Sequence, residues 1–162
     1  MQRSEIVQAV TLLVVVFAIT TGECTCPGNL DWQEYDGHCY WASTYQVRWN
    51  DAQLACQTVH PGAYLATIQS QLENAFISET VSNNRLWIGL NDIDLEGHYV
   101  WSNGEATDFT YWSSNNPNNW ENQDCGVVNY DTVTGQWDDD DCNKNRNFLC
   151  KMPIIGCPPC GI

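Results

Sequence analysis

Positive charge is scarce in this 162-residue chain, where six Lys and Arg stand against twenty Asp and Glu, a formal net charge of −14. A chain that acidic repels phosphate backbones and anionic lipid headgroups, which argues against nucleic acid or a membrane surface as its partner. No Asn-x-Ser/Thr acceptor occurs, so N-linked glycosylation is not expected. Long apolar runs are missing too: the stretch from Val10 to Ile19 is about half the roughly 20 residues that a membrane-spanning helix needs. No internal repeat is visible. His38, His60 and His98 are scattered, none beside a Ser or Cys in a nucleophile-and-base arrangement, so each is read as a surface or packing residue and no enzyme is expected.

What is present begins with a leader. Met1 to Gly22 carries Arg3 near its front, then the apolar stretch, then small residues Thr20, Thr21 and Gly22. That order reads as a secretory signal peptide cut ahead of Glu23, and it implies a secreted, extracellular protein. The remaining residues suffice for one domain over 23–152, followed by a Cys/Pro-rich tail over 153–162. With 12% aromatic and 43% hydrophobic residues the domain can fill a core. Nine cysteines in a secreted chain read as a disulfide framework whose pairing the sequence alone does not fix.

Along the chain, Asp36-Gly37 between aromatic-rich flanks predicts a hairpin. Trp49, Ala52, Leu54, Ala55, Cys56 and Val59 fit one face of a helix over 49–59, with Asn50 as its cap. Tyr64 to Ile68 reads as a short strand. Ser70-Gln71-Leu72-Glu73 is a capping box that opens a second helix running to about Val81, with Leu72, Ala75, Phe76 and Ile77 inward and Asn83-Asn84 ending it. Arg85 to Leu90 reads as a buried strand. Residues 102–124 show almost no periodicity, and a stretch that long is usually functional or disordered. Its aromatics Phe109, Tyr111, Trp112 and Trp120 and its oxygen-bearing side chains favour function. Strands are expected at Gly126 to Tyr130, Thr134 to Trp137 and Asn147 to Lys151.

The stretch from Asn115 to Cys142 gathers hard oxygen donors at Asn116, Asn118, Glu121, Gln123, Asp138 and Asp139. Such donors suit Ca²⁺, which takes about 6 to 8 of them. Asn116-Pro117-Asn118, Gln123-Asp124-Cys125, Trp137-Asp138-Asp139 before Cys142, and the upstream Trp87-Ile88-Gly89-Leu90 together resemble a C-type lectin-like domain over about residues 26–152.

The resemblance implies an α+β fold, with two helices flanking small antiparallel sheets and a long Ca²⁺-binding loop. It implies disulfides Cys26 to Cys39, Cys56 to Cys150 and Cys125 to Cys142, which leaves Cys24, Cys157 and Cys160. It makes Trp87, Gly89 and Leu90 core members, and it implies a cis bond before Pro117. A primary metal site that also contacts sugar would use Asn116, Asn118, Gln123, Asp138 and Asp139, with Glu121 as a substitute ligand. Asn116 stands where the family has Glu or Gln, Gln123 replaces Glu and Asp138 replaces Asn. The site therefore keeps two carboxylates where a typical member has three, and Ca²⁺ affinity falls with ligand charge. An auxiliary site would use Asp92, Glu96, Asn119 and Asp124, with Asn119 where Asp is usual. An acidic turn is the bland alternative there.

For the sugar, Asn118 resembles mannose-type members. Trp120 sits where galactose-type members often stack an aromatic ring on the sugar. The expectation leans slightly to mannose, because the triplet touches hydroxyls directly whereas a Trp can simply pack in the loop. The competing reading is a domain of the same fold that binds a protein, ice or mineral surface. Cys157-Pro158-Pro159-Cys160 has redox-motif spacing without the strand-to-helix context. A tail disulfide or an intersubunit bridge is the better reading, and the odd cysteine allows a free thiol or a disulfide-linked homodimer.

Overall fold

The computed structural model describes residues 25–80, 85–129 and 135–155. The leader, Cys24, the 81–84 helix end, Thr134 and the 156–162 tail with Cys157 and Cys160 lie outside them. Among the described residues no helix is long and apolar enough to cross a membrane.

Strands β1 (Gln33–Tyr35) and β2 (His38–Ala42) form the expected hairpin. Asp36 and Gly37 both take positive φ, 43° and 73°. That pair of conformations matches the twist of a two-residue hairpin, and Asp and Gly tolerate it. Helix α1 (Trp49–Val59) and helix α2 (Gln71–Thr80) bracket the short β3 (Tyr64–Leu65). Then come β4 (Leu86–Asn91), β5 (Val100–Trp101), β6 (Cys125–Val128), β7 (Trp137–Asp140) and β8 (Asn147–Pro153). The strand order is β1-β2-β8-β4-β6-β7, with β3 paired to β8 and β5 to β4. All ladders are antiparallel except β4 with β8, and that parallel pair joins the two halves of the sheet.

All three expected disulfides form, Cys26–Cys39, Cys56–Cys150 and Cys125–Cys142. The second ties α1 to β8, and the third closes the region between β6 and the turn after β7. Every residue of β4 is buried, as its apolar run suggested. Gly89 is required there, because a Cβ would come 2.8 Å from the Leu65 carbonyl oxygen and 3.0 Å from Ser102 Oγ.

Several local expectations are corrected. Asn50 does not cap α1: Arg48 holds the cap position with no side-chain bond, and Trp49 N–H donates to the Cys142 carbonyl at 3.0 Å. A neighbouring loop thus satisfies a helix-end donor that a cap side chain would otherwise take. Leu54 is exposed while Trp49, Ala52 and Cys56 form the buried face. On α2 the inward face is largely polar: Glu73, Asn74, Ile77 and Ser78 are buried, whereas Leu72 and Ala75 face solvent.

That polar face is buried because it is satisfied, as buried polar groups must be. Glu73 accepts from Tyr40 Oη at 2.7 Å, Lys151 Nζ at 2.7 Å and Gln69 N–H at 2.8 Å. Ser70 Oγ accepts from Glu73 N–H at 3.1 Å, which is the predicted capping contact. Strand β3 is shorter than expected, β6 begins one residue earlier, and β7 runs from Trp137 to Asp140 rather than ending at Trp137.

Candidate functional site

Trp137 anchors the site. Its ring is fully buried, packs edge-on against Trp101, Trp112 and Phe109, and donates from Nε1 to Asn74 Oδ1 at 2.8 Å. Its backbone takes Ser113 N–H on its carbonyl and gives its own N–H to the Tyr111 carbonyl, each at 2.8 Å. The long aperiodic segment is therefore stitched to β7 beside the Asp run. Phe109, Tyr111 and Trp112 serve this packing, while Trp120 alone of that group stays 63% exposed.

From that anchor the loop turns over the strand. The Asn116–Pro117 peptide is cis, as the resemblance implied. Asn115, Asn119, Glu121 and Asn122 take positive φ, a conformation that Asn tolerates better than most residues. Asp139 holds the turn down: its carboxylate accepts the Asn118 N–H at 2.9 and 3.1 Å and the Asn119 N–H at 2.6 Å. The amides form a chain, Asn118 Nδ2 donating to Asn116 Oδ1 and Asn116 Nδ2 to Ser113 Oγ. Asn118 Oδ1 accepts the Trp120 N–H at 2.9 Å, which fixes the start of the Trp120 segment.

Asn118, Trp120, Gln123 and Asp138 share the wall of one cleft with Asp140. Gln123 is buried, its N–H bonded to Asn119 Oδ1 at 2.8 Å and its Nε2 to Asp140 Oδ1 at 3.3 Å. Asp138 Oδ1 is buried with no hydrogen-bond partner. Burial, and then the charge of the adjacent Asp139, push the Asp138 carboxyl up to about 6. Of the expected primary set, Asn118, Gln123 and Asp138 line this cleft, while Asn116 and Asp139 are tied to Asn118 by hydrogen bonds. Glu121 is exposed and lies outside the residues lining that cleft.

Of the expected auxiliary set, Asp92 and Asp124 act on Glu96 through their charges, as does Asp139. Asp92 N–H donates to the Asp124 carbonyl at 3.1 Å, and Asp92 Oδ2 accepts the Gly97 N–H at 2.8 Å. Asp92 Oδ1, like Asp138 Oδ1, is buried without a partner. Burial raises the Asp92 carboxyl, opposed by the Gly97 N–H and reinforced by Asp124. Desolvation and the charges of Asp92, Asp124 and Asp139 raise Glu96. Asn119, of the auxiliary set, gives its N–H to Asp139 and takes the Gln123 N–H on Oδ1, both partners belonging to the primary set. The two groups therefore meet at Asp139.

Among the described residues no three His, Cys, Asp or Glu side chains gather into a metal-holding group. A cation at the primary set would have two carboxylates, and the amide oxygens of Asn116, Asn118 and Gln123 would have to supply the rest. The orphaned, buried Asp138 oxygen fits such an ion, and that of Asp92 fits a second one at the auxiliary set, since an unpaired charged oxygen out of water is costly. Sequence reading missed Ser113 and Asp140, which orient Asn116 and Gln123. Only the position of Asp140 in the Asp run hinted at it.

The histidines take minor local parts: His38 Nδ1 meets the Asp36 carbonyl, His60 Nδ1 accepts the Gly62 N–H, and His98 lies exposed in a turn.

Comparison with known proteins identifies the family. The lectin C-type domain family matches residues 45–152. Lectin BRA-3 of Megabalanus rosa is 99% identical over 162 residues, covering all of both chains. A C-type lectin galactose-binding isoform of Pseudechis porphyriacus is 34% identical and a mannose-binding isoform of Notechis scutatus scutatus 33% identical. Each match spans 87% of this chain and 92% of the relative. The mouse scavenger receptor C-type lectin carbohydrate-recognition domain superposes with a TM-score of 0.73 at 30% identity, over 82% of this chain and all of that one. The chain belongs to the C-type lectin domain family, and it is a lectin rather than an enzyme.

Proposed function

We propose that this lectin is secreted and binds hexoses in a Ca²⁺-dependent way, the ion held by Asn116, Asn118, Gln123, Asp138 and Asp139. The observation that carries the reading is the buried, partnerless Asp138 Oδ1 beside the Asp139 carboxylate that clamps the loop. When bound, Ca²⁺ would supply open coordination positions to a pair of sugar hydroxyls. The chain's own residues do the rest. An amide can offer its oxygen to a cation and its NH₂ to a sugar oxygen, whereas a carboxylate can only accept. Asp139 holds Asn118 in place, Ser113 orients Asn116, and Asp140 orients Gln123. Asp92, Glu96, Asn119 and Asp124 would brace the same loop through a second cation.

Within that reading Trp120 favours a galactose-type ligand. The sequence leans to mannose because the triplet touches hydroxyls directly and a Trp can pack into a loop, but this Trp is exposed on the cleft wall next to Asn118. Its free ring can stack on the apolar face of a sugar. The related snake lectins, one named for galactose and one for mannose, match this chain about equally and do not choose between them. Retention on galactose and mannose resins, with and without chelator, tests the proposal. Chelator-reversible retention, stronger on galactose, is expected; retention indifferent to chelator overturns the calcium part.

A further inference from the structure

A second groove, of about 600 Å³, reaches the cis-proline loop at Pro117, one residue before Asn118, and shares none of its lining with the Asp138 cleft. Its wall carries two half-buried rings, Tyr99 and Trp112, which meet edge to face with centroids 4.8 Å apart. Trp112 also packs edge-on against the buried Trp137, so the wall is braced from the core. Thr107 and Thr110 line the same groove, and neither hydroxyl is spent on a hydrogen bond to the described residues. Glu105 is the one carboxylate of the lining, and its two oxygens already accept from Asn103 Nδ2 at 2.7 Å and Gln69 Nε2 at 2.9 Å. What the groove offers is therefore ring faces and hydroxyls rather than charge.

We infer that this groove seats a second sugar residue, the one linked to the hexose held at Asn116 and Asn118, so that the preferred ligand is an oligosaccharide of a particular linkage rather than a lone hexose. The inference rests on the sugar reading above. Concave sites of this kind combine apolar walls with a few polar groups that fix orientation. The rings of Tyr99 and Trp112 can take the apolar C–H face of a sugar. Each Thr hydroxyl can both donate to and accept from a sugar hydroxyl, which is itself donor and acceptor. Continuity with the hexose site comes from the chain: successive Cα atoms are about 3.8 Å apart, so a glycan passing from Asn118 to Pro117 meets the groove at once. Because the second residue arrives tethered to the first, even modest contacts there raise affinity.

The test is titration calorimetry of the full, oxidised chain with galactose, mannose, galactobioses and mannobioses of differing linkage, and a galactosylated peptide. It is run with Ca²⁺ and with chelator. In Ca²⁺ one linkage isomer should bind about tenfold tighter than its monosaccharide, the worth of one aromatic contact and one hydrogen bond together, and the other isomers about as well as the monosaccharide. Ala106, exposed in the groove lining, gives a way to fill it: Ala106→Trp should remove the advantage and leave monosaccharide affinity as in the parent. T107V/T110V keeps the shape and deletes both hydroxyls, and should cut the advantage about fivefold. If Ala106→Trp weakens the monosaccharide as well, T107V/T110V alone decides. Equal gain for every linkage, gain for none, or an advantage that survives the variants overturns the groove and leaves the calcium reading standing. An advantage that persists in chelator and is lost in the variants upholds the groove and overturns the calcium reading. Gain on the peptide with none on any disaccharide gives the groove to polypeptide and overturns the proposal. Binding of no sugar in Ca²⁺ overturns both readings.

Discussion

The Asp139 carboxylate accepts the backbone N–H of Asn118 at 2.9 and 3.1 Å, across 21 residues of sequence, and so ties the cis-proline loop to β7 at the end of the sheet. It takes the Asn119 N–H as well. Asp139→Ala should abolish chelator-sensitive sugar retention. It should also cost about 1.5–3 kcal/mol of stability in chelator, the usual worth of hydrogen bonds to a charged group. Column retention and urea unfolding of the same sample check both. Unchanged retention would place the ion elsewhere.

Trp120 should separate the two sugars. Trp120→Ala is expected to weaken galactose binding by about 1 kcal/mol, in the range of aromatic contacts beyond simple burial, and to leave mannose binding nearly untouched. Because the ring is exposed, the unfolding midpoint should not move. Equal losses for both sugars would mean that the ring shapes the loop rather than the ligand.

Acid should release the cation. In the chelated protein the Asp138 carboxyl sits raised, at about 6, so the folded state holds a proton there that the unfolded chain has already lost. That group therefore adds stability as pH falls through about 6 and withdraws it as pH rises, because stability rises with pH only where the unfolded state binds more protons. Ca²⁺ must displace that proton, so its affinity should drop up to about tenfold per pH unit below 6. Titrations at several pH values check this, and Asp138→Asn should flatten the profile.

The buried cation under α2 is structural. Lys151 is almost fully buried and bonds Glu73 at 2.7 Å, with Thr67 taking its other protons. Lys151→Met leaves Glu73 charged, buried and short of a partner, a change that typically costs about 3–5 kcal/mol. Sugar retention of the surviving folded fraction should be unaffected. A loss below 1 kcal/mol would show that Tyr40 and the Gln69 N–H suffice for Glu73.

The sequence was most informative where side-chain chemistry and local geometry coincide. Asp36-Gly37 makes a hairpin because both residues accept positive φ, and Ser70 to Glu73 makes its capping contact across a single turn. The disulfides and the cis bond before Pro117 were legible through the resemblance rather than through spacing alone. Burial on α2 was misread because apolar periodicity cannot see a polar face satisfied from distant strands. Glu73 finds Lys151 and Tyr40, and Asn74 finds Trp137, only once the sheet is assembled. Asn50 failed as a cap for a like reason: the carbonyl that serves α1 belongs to Cys142. The cleft beside Asp138 was illegible because its lining residues, such as Arg85 and Lys144, lie far apart in the chain and come to one place only once the sheet is assembled.

Titration calorimetry of galactose into the oxidised protein, once with millimolar Ca²⁺ and once with excess chelator, bears most directly on the central claim. Saturable heat with Ca²⁺ and none with chelator is the expected result. Identical heats in the two conditions would contradict a calcium-mediated sugar site.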